Sequence, residues 1–443
     1  MKKERIKSFA LALLIISNII LSGKILVNKK LWLFSYNFFS IKSSRKNQFS
    51  LAKTLALPNK IVINTGYQSS RFNYMRSTDG FDYINEAADS VLKKAFSSKG
   101  CAAVSADEWY SVLTAKSLYL SYPCKYSSQT FSEFLGISST DLNFTAFSDI
   151  AISENGTVYI YDKSGYYRIP AISADISPII RNVAAEHADE ESVINYSFDL
   201  NFDKDFGDQK TFLSPMILIY SEPIEAKNMI CSNPIYKSDG ELNNKVIEGI
   251  LSSFSINPNT VFRYTEADGS LVFVENNGIL RISADGVLSF KANGTGVRLG
   301  GTKDNSSDAS RTAAFIDNVN SNAGLENGMC LTSDILSDST DSFSFDYMAD
   351  GFRIKYSDKS AVRVKAGGGY ITEYTQILRR YTPSVHTGFS PAYIETLDSV
   401  ISKYRQSMNE IHITNMYPAY IDNENSEEIG LNWYVDIYDV VAE

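Results

Sequence analysis

The N-terminal end of the chain combines a basic cluster with a long apolar run. Four basic residues within 1–7 precede the uncharged run 8–23, and extending this run to Val27 gives 20 residues. A helix of about 20 residues crosses the hydrocarbon core of a bilayer, and a basic flank favours the cytoplasmic side. The pattern predicts a cytoplasmic tail at 1–7, a transmembrane helix at 8–27 and an extracytoplasmic remainder.

A cleaved secretory signal is the competing interpretation of the same segment. Such a signal has a basic start and an apolar core, and it ends at a small-x-small cleavage site. The closest candidate, Leu21-Ser22-Gly23, fits that site poorly, so the sequence favours a retained anchor. Both interpretations place the rest of the chain outside the cytoplasm.

One face of the predicted anchor could bind a neighbouring membrane helix. Leu11, Leu14, Asn18 and Leu21 recur at a spacing of three to four residues, with Ser22 beside them. An amide near mid-membrane prefers a hydrogen-bond partner from another helix. These five residues are therefore the candidate partner-binding residues, although Asn18 could also be tolerated there at modest cost.

Beyond the anchor, apolar periodicity predicts alternating helices and antiparallel strands. The spacing of apolar residues predicts a helix over 83–96 and another that starts after Asp107 as its N-cap. Turn residues separate short apolar runs that predict a meander of strands at 147–153, 157–162 and 166–170.

The pattern then repeats itself. A helix at 241–254 precedes strands at 270–275, 279–283 and 287–292, and a helix at 312–321 precedes strands at 352–356, 361–365 and 370–375. Ile279–Ile282 aligns with Ala361–Val364, and Gly286 aligns with Gly368. The sequence therefore predicts two similar C-terminal units, each a helix plus an antiparallel meander.

The end of the chain predicts one more helix and two strands. Ser390 is the expected N-cap and Pro391 the expected first helical residue, and strands follow at 411–415 and 431–438. The predicted fold class is α+β. The predicted extracytoplasmic domains are 28–205, 206–300 and 301–443.

Charge restricts the class of partner. The whole chain carries a net charge of −9 and residues 1–30 carry +6, so residues 31–443 carry −15. So acidic a region argues against nucleic acid or anionic lipid as its main ligand.

A search for catalytic and metal-binding patterns finds none. His187, His386 and His412 do not form a pattern that would place two metal ligands on one face. The four cysteines are widely spaced, so a Cys101–Cys124 disulfide and buried thiols are both open. We expect no catalytic, cofactor-binding or metal-binding residues.

Three segments resemble the YycH family of low-GC Gram-positive bacteria. They are the basic start and anchor (KKERIKSFALALLIISNIILSGKI), Glu108–Gly136 (EWYSVLTAKSLYLSYPCKYSSQTFSEFLG) and Ala146–Ile169 (AFSDIAISENGTVYIYDKSGYYRI). The duplicated C-terminal units are similar to the second and third domains of that family, which its smaller sister YycI also contains. The four cysteines and the aromatic stretch after the anchor depart from the family pattern.

The resemblance implies a non-enzymatic accessory protein of the cell membrane. A YycH-like protein binds a sensor histidine kinase (WalK, also called YycG) together with a YycI-like partner, through transmembrane and extracytoplasmic contacts. It thereby modulates a two-component system that controls cell-wall metabolism. An anchored envelope enzyme and an anchored module that binds a wall ligand are the alternatives.

Overall fold

The computed structural model describes most of the chain beyond its first fifty residues. The described residues are 51–66, 70–162, 164–170, 175–187, 194–199, 211–300, 308–335, 340–357, 359–405 and 410–439. They form an α+β protein of helices and mainly antiparallel sheets, so the predicted fold class is confirmed at this level. The predicted tail at 1–7 and transmembrane helix at 8–27 lie outside these residues. Within them, no helix is long and apolar enough to cross a bilayer.

A seven-stranded antiparallel sheet organises the first region, in the order β2-β1-β4-β5-β6-β7-β3. Its strands are β1 (Lys60–Thr65), β2 (Arg71–Met75), β3 (Ala102–Val104), β4 (Lys116–Tyr126), β5 (Phe147–Ser153), β6 (Val158–Asp162) and β7 (Gly165–Ile169). The helices of this region are α1 (Leu51–Leu55), α2 (Phe81–Phe96), α3 (Ala106–Thr114), α4 (Ser128–Phe134) and α5 (Ser177–Glu186). The predicted meander is confirmed as β5, β6 and β7.

Helix α3 starts earlier than the sequence predicts. Its N-cap is Ser105 and not Asp107, because the Ser105 side chain accepts a hydrogen bond from the backbone N–H of Glu108 at 3.2 Å. Serine followed three residues later by glutamate is a capping-box sequence, and the acids at 107 and 108 then lie in the first turn.

A connecting segment links this sheet to the rest of the protein. It contains β8 (Ile194–Tyr196), a 3₁₀ turn (Ser197–Asp199), β9 (Thr211–Leu213), β10 (Leu218–Tyr220) and β11 (Glu225–Ser232). Strands β8 and β10 pair with each other, and the ring of Tyr196 packs edge-on against Tyr119 of β4. The segment thus lies against the face of the N-terminal sheet that carries Tyr119.

Two helix-plus-meander units follow. The first contains α6 (Asn244–Ser253), β12 (Phe262–Thr265), β13 (Leu271–Glu275), β14 (Gly278–Ile282) and β15 (Val287–Ala292). After a short strand, β16 (Val297–Arg298), the second contains α7 (Asp308–Ala323), β17 (Gly328–Ile335), β18 (Asp341–Ala349), β19 (Phe352–Lys355), β20 (Val362–Gly367) and β21 (Tyr370–Ile377).

The two units join through their last strands into one continuous sheet. Strand β15 pairs antiparallel with β21, so the order runs β12-β13-β14-β15-β21-β20-β18, with β17 beyond β18. Helices α6 and α7 contact each other, and the ring of Phe254 packs against those of Phe290, Phe315 and Tyr374. Each unit thereby supplies half of one helix-covered sheet.

Strand pairing puts the repeated residues in equivalent places. Ile279–Ile282 lies in β14, and its counterpart 361–364 leads into and fills the start of β20. Gly286 and Gly368 occupy the following turns with φ of 92° and 59°, a region that favours glycine. The prediction that 352–356 corresponds to the first strand of the first meander is wrong. In the second unit, the strand that takes the place of this first strand is β18, which pairs with β20. Strand β19 is an additional strand, which pairs with a strand nearer the C-terminus.

The C-terminal elements extend this sheet beyond β19. They are β22 (Arg380–Phe389), α8 (Tyr393–Tyr404), β23 (Ile411–Ile421), β24 (Glu428–Ile429) and β25 (Leu431–Asp439). Strand β23 pairs in parallel with β19 and antiparallel with β25, while β11, β22 and β24 form a separate small sheet. The predicted start of α8 is wrong. Its N-cap is Ala392, and the Ser390 hydroxyl instead accepts a hydrogen bond from the backbone N–H of Ile224 at 2.9 Å.

The division into three extracytoplasmic domains stays a prediction. The proposed boundaries at 205 and 300 fall inside or beside ranges that the structure does not describe.

Candidate functional site

The candidate partner-binding residues of the anchor, Leu11, Leu14, Asn18, Leu21 and Ser22, all lie outside the described residues. Their role therefore stays a prediction, and the described part of the chain has a candidate site of its own. It contains a polar cleft where the N-terminal sheet meets strands β23 and β25.

This junction cleft has a volume of about 420 Å³. Clefts that bury a small ligand fall in the range of roughly 300–1,000 Å³. Its polar lining includes Lys60, Lys125, Asp149, Tyr161, Thr414 and Asp436. The first four come from the N-terminal sheet and the last two from β23 and β25. Two regions that are far apart in sequence therefore build one site.

The pairing register of the N-terminal sheet determines which side chains form the floor of the cleft. Lys60 of β1 lies opposite Ser121 of β4, which lies opposite Asp149 of β5, which lies opposite Tyr161 of β6. Residues that face each other across antiparallel strands project on the same side of the sheet. The four side chains thus form a polar row on one face, whereas the neighbouring row from Ile61 is apolar and buried.

Lys60 is the least usual member of that row. It is only 8% exposed, and among the described residues its ammonium group has no hydrogen-bond or ion-pair partner. Burial lowers the pKa of Lys60 to about 8, and the Asp149 carboxylate opposes this shift. A buried ammonium without a partner is costly to the fold.

The Asp149 carboxylate is already engaged by neighbouring hydroxyl groups. The Tyr119 hydroxyl donates to one oxygen of this carboxylate, and Ser148 Oγ donates to the other at 2.6 Å. Asp149 therefore acts on Lys60 through space, and it does not form an ion pair with it.

An inner recess of about 40 Å³ adjoins the cleft and shares Lys60, Ser121 and Asn415 with it. On the order of 10–15 Å³ suffices for one water molecule, so the recess is large enough for a small polar group. Among the described residues that line it, Lys60 and Arg353 are cationic and none is acidic. The inner end of the cleft is therefore positive.

Two further polar atoms at the recess lack partners. Asn59 Oδ1 and the Tyr122 hydroxyl are buried and make no hydrogen bond within the described structure. Unsatisfied buried polar atoms are rare in folded proteins, and these two atoms beside the unpaired Lys60 indicate a place prepared for a ligand or ordered water.

The opposite wall contains a second group of buried cations, which are paired. The fully buried Asp346 accepts from Arg353 Nε at 2.7 Å and lies 3.4 Å from Lys355 Nζ. Burial by itself lowers the pKa of Arg353, but the Asp346 carboxylate outweighs burial and the pKa is raised. Arg353 also donates to the Tyr417 hydroxyl at 3.1 Å. This group holds β18, β19 and β23 together.

Asp436 completes the acidic side of the cleft. It lies opposite Asn415 in the β23–β25 ladder and is half-buried. Burial raises its pKa, and the nearby charges of Arg353 and Lys355 oppose that shift. Outside the recess, the cleft thus carries two acids, hydroxyl groups and the exposed Lys125, whereas the recess has no acidic lining residue among those described.

Gly351 fixes how closely the two walls approach. It has φ of 75°, and a Cβ atom at this position would lie 2.4 Å from the backbone nitrogen of Ser77. Only glycine fits this close approach of β18–β19 to the end of β2.

The described residues do not form a metal or nucleophile centre. Among them, no three His, Cys, Asp or Glu side chains come together as metal ligands. His187 stacks on Phe72 and contacts the Tyr74 hydroxyl, and His412 lies beside Glu410. No disulfide joins the four cysteines; Cys101 is exposed and the other three are buried.

Sequence reasoning missed Lys60, Asn59 and Tyr122. The strand at 61–65 is evident from its apolar residues, but Lys60 reads as an ordinary polar residue at a strand end. Its significance comes from the contact between the N-terminal sheet and β23, which no local pattern contains.

Comparisons with known proteins find a similar fold but no matching sequence family. Neither the protein-family models nor the curated proteins contain a match to this sequence. The fold and the cleft define the class first: an α+β protein of several sheets, whose described residues line a polar cleft and contain no cluster of potential metal ligands.

One solved structure that this chain matches over most of its length is the crystal structure of YycH from Bacillus subtilis. The match covers 88% of this chain and 97% of that chain, with a TM-score of 0.56 and 12% sequence identity. The chain therefore has the fold of YycH, and the family resemblance seen in the sequence is confirmed at that level. An uncharacterized protein from Eubacterium rectale ATCC 33656 matches over 53% of this chain and 85% of its own, with 12% identity and a TM-score of only 0.36.

Proposed function

We propose that this protein is a membrane-anchored, non-enzymatic regulator of a sensor histidine kinase that controls cell-wall metabolism. The observation that carries the proposal is the fold, which is shared with YycH over nearly the whole of both chains. The sequence resemblance supplies the same family independently, from the basic anchor and from the two segments in the N-terminal region.

The proposed arrangement is a single-pass protein of the cell membrane. Residues 1–7 are cytoplasmic, 8–27 span the bilayer, and the remainder is extracytoplasmic. The partners are a WalK/YycG-like kinase and a YycI-like protein. The apolar run and its basic flank support this topology.

The anchor helix is the proposed regulatory surface. A partner shifts a kinase between two signalling states only if it contacts those states differently. The face of Leu11, Leu14, Asn18, Leu21 and Ser22 would provide such contacts within the membrane, with Asn18 as the polar member.

Two alternatives differ in how well the structure supports them. An envelope enzyme needs a positioned nucleophile, acid–base pair or metal, and the described residues show no metal cluster. A binding module needs only a cleft with polar groups prepared for a ligand, which the junction provides. Binding is therefore the stronger alternative, and it is compatible with regulation.

An anchor exchange tests the proposal. Residues 1–27 of the full-length chain are replaced by an unrelated single-pass anchor of the same orientation, and expression of kinase-dependent genes is measured in cells. A regulator that acts through its helix loses its effect. Full regulation by the exchanged protein would contradict the assignment to the anchor.

A point substitution sharpens that test. We expect Asn18→Leu to weaken co-purification with the kinase about three- to thirtyfold, since an interhelical amide contact contributes on the order of 0.6–2 kcal/mol. The matched control is Ile20→Leu, which lies on the opposite side of the predicted helix. Equal loss in both variants, or loss in neither, would contradict the proposed face.

A further inference from the structure

The inner recess has an unusual combination of charge and unsatisfied polar atoms. Lys60 and Arg353 make it cationic, and no acid is found among its described lining residues. Arg353 is already paired with Asp346, but the Lys60 ammonium has no partner in the described structure. One positive charge, more than nine-tenths buried, is therefore available to an anion.

The neighbouring atoms restrict the chemistry of that anion. The Tyr122 hydroxyl can donate a second hydrogen bond to it, while Asn59 Oδ1 accepts from a donor next to it, such as an N–H. A carboxylate with an adjacent N–H satisfies all three groups, because its oxygens accept from Lys60 and Tyr122 and its N–H donates to Asn59. That arrangement is the C-terminal end of a peptide or an amino acid.

The outer cleft accommodates the rest of such a ligand. Its volume of about 420 Å³ and its hydroxyl groups suit a short polar chain. Asp149 and Asp436 line the outer part, where an ammonium group on the ligand would be favoured. The charges of recess and cleft together match a zwitterion better than a simple anion.

We propose that the recess and the junction cleft bind a free amino acid or short peptide, with its carboxylate on Lys60. This inference does not depend on the proposed regulation of a kinase. It assigns a ligand-binding activity to the extracytoplasmic part, whatever the anchor contacts.

The test uses the full-length protein and the dipeptide glycylglycine as probe, with binding followed by calorimetry and thermal unfolding. Glycylglycinamide, which lacks the carboxylate, and inorganic phosphate are the control ligands. We expect glycylglycine to bind and to raise the unfolding midpoint, the amide to bind at least tenfold more weakly and phosphate not to compete. Equal binding of the amide, or binding of phosphate alone, would overturn the proposal.

Two lysine variants test whether the ligand binds at Lys60. Lys60→Met keeps the aliphatic stem and removes the ammonium group, and we expect at least a tenfold loss of affinity while the variant stays folded. Lys99→Met removes an exposed lysine that does not line the recess or the cleft, and its affinity should stay within about twofold of the parent. Unchanged binding by Lys60→Met, or the same loss in both variants, would contradict the assigned position.

The dependence of binding on pH provides a third readout. The probe here is N-acetylglycine, which has the carboxylate and the adjacent N–H but no amine that titrates in this range. Its affinity should fall as pH rises above 8, because the neutral amine of Lys60 no longer attracts a carboxylate. The charged and titratable groups that line the recess and cleft around Lys60 are Asp149, Tyr119, Tyr122, Cys124, Tyr161, Lys125, Arg353, Tyr417 and Asp436. Lys60→Met should abolish this pH dependence, and its persistence in that variant would mean that another group causes it.

Discussion

Two groups of buried cations lie on opposite walls of the junction cleft, and their surroundings differ. Arg353 and Lys355 share the fully buried carboxylate of Asp346. Lys60, at 8% exposure, has a neighbouring acid in Asp149 but no hydrogen bond or ion pair among the described residues. Both cations of the first group have an ion-pair partner, whereas Lys60 has none within the described structure.

The difference separates a structural group from a candidate functional group. A buried ion pair keeps strands in register, and removing one partner leaves a buried charge. A buried charge with no partner destabilises the folded state and is retained only where it does something else. We therefore interpret the Asp346 group as part of the fold and Lys60 as part of a binding site.

The largest predicted effect concerns the paired group. Asp346→Asn should lower the free energy of unfolding by about 3–5 kcal/mol, because Arg353 and Lys355 then stay buried without a counter-charge. Urea denaturation of the full-length protein measures the change. A loss below about 1 kcal/mol would mean that Asp346 does not balance these cations.

The opposite sign is predicted for the unpaired group. Lys60→Met should raise the free energy of unfolding at pH 7 by up to about 3 kcal/mol, since the lowered pKa corresponds to roughly 1.4 kcal/mol per unit. The same denaturation experiment applies. Destabilisation by more than about 1 kcal/mol would show that the ammonium group has a stabilising partner.

The gain from Lys60→Met should depend on pH. The folded pKa of Lys60, about 8, lies below the ordinary lysine value of 10.5 expected in an unfolded chain. Between these two values the unfolded state binds more protons, so the stability of the parent protein rises with pH relative to the variant. The difference in free energy of unfolding between Lys60→Met and the parent protein should be constant below pH 8 and close to zero by pH 10.5. A difference that widens over this window would contradict the direction of the pKa shift.

The smallest effect is predicted at the rim of the cleft. Lys125→Met should change the free energy of unfolding by no more than about 0.5 kcal/mol, because Lys125 is exposed. Thermal unfolding of Lys125→Met and Lys60→Met is measured side by side, so the two variants form a matched pair of lysine substitutions. A gain as large as that of Lys60→Met would remove the distinction between buried and exposed lysine.

Much of the local structure could be predicted from the sequence because apolar periodicity and turn residues act locally. The meander of β5 to β7 and helix α2 follow their patterns closely. The alignment of Ile279–Ile282 with 361–364 was visible in the sequence, and it corresponds to equivalent strands in the two meanders.

What could not be predicted depends on contacts between distant segments. The apolar pattern does not predict strand β18. It assigns the place of this strand in the meander to 352–356, because only the pairing with β20 distinguishes the two segments. Ser390 resembles an N-cap, yet its hydroxyl interacts with the backbone of Ile224, which lies 166 residues away. The recess around Lys60 also arises only where the N-terminal sheet meets β19 and β23.

The central claim is that the Lys60 ammonium is buried without a partner and is available to a ligand. The most direct test is an NMR titration of the Lys60 side chain in the full-length protein, with the signal assigned by its loss in Lys60→Met. We expect a pKa of about 8 without ligand and a higher pKa when glycylglycine is bound. A pKa at or above 10.5 in the ligand-free protein would contradict it, because Lys60 would then be solvated or already paired.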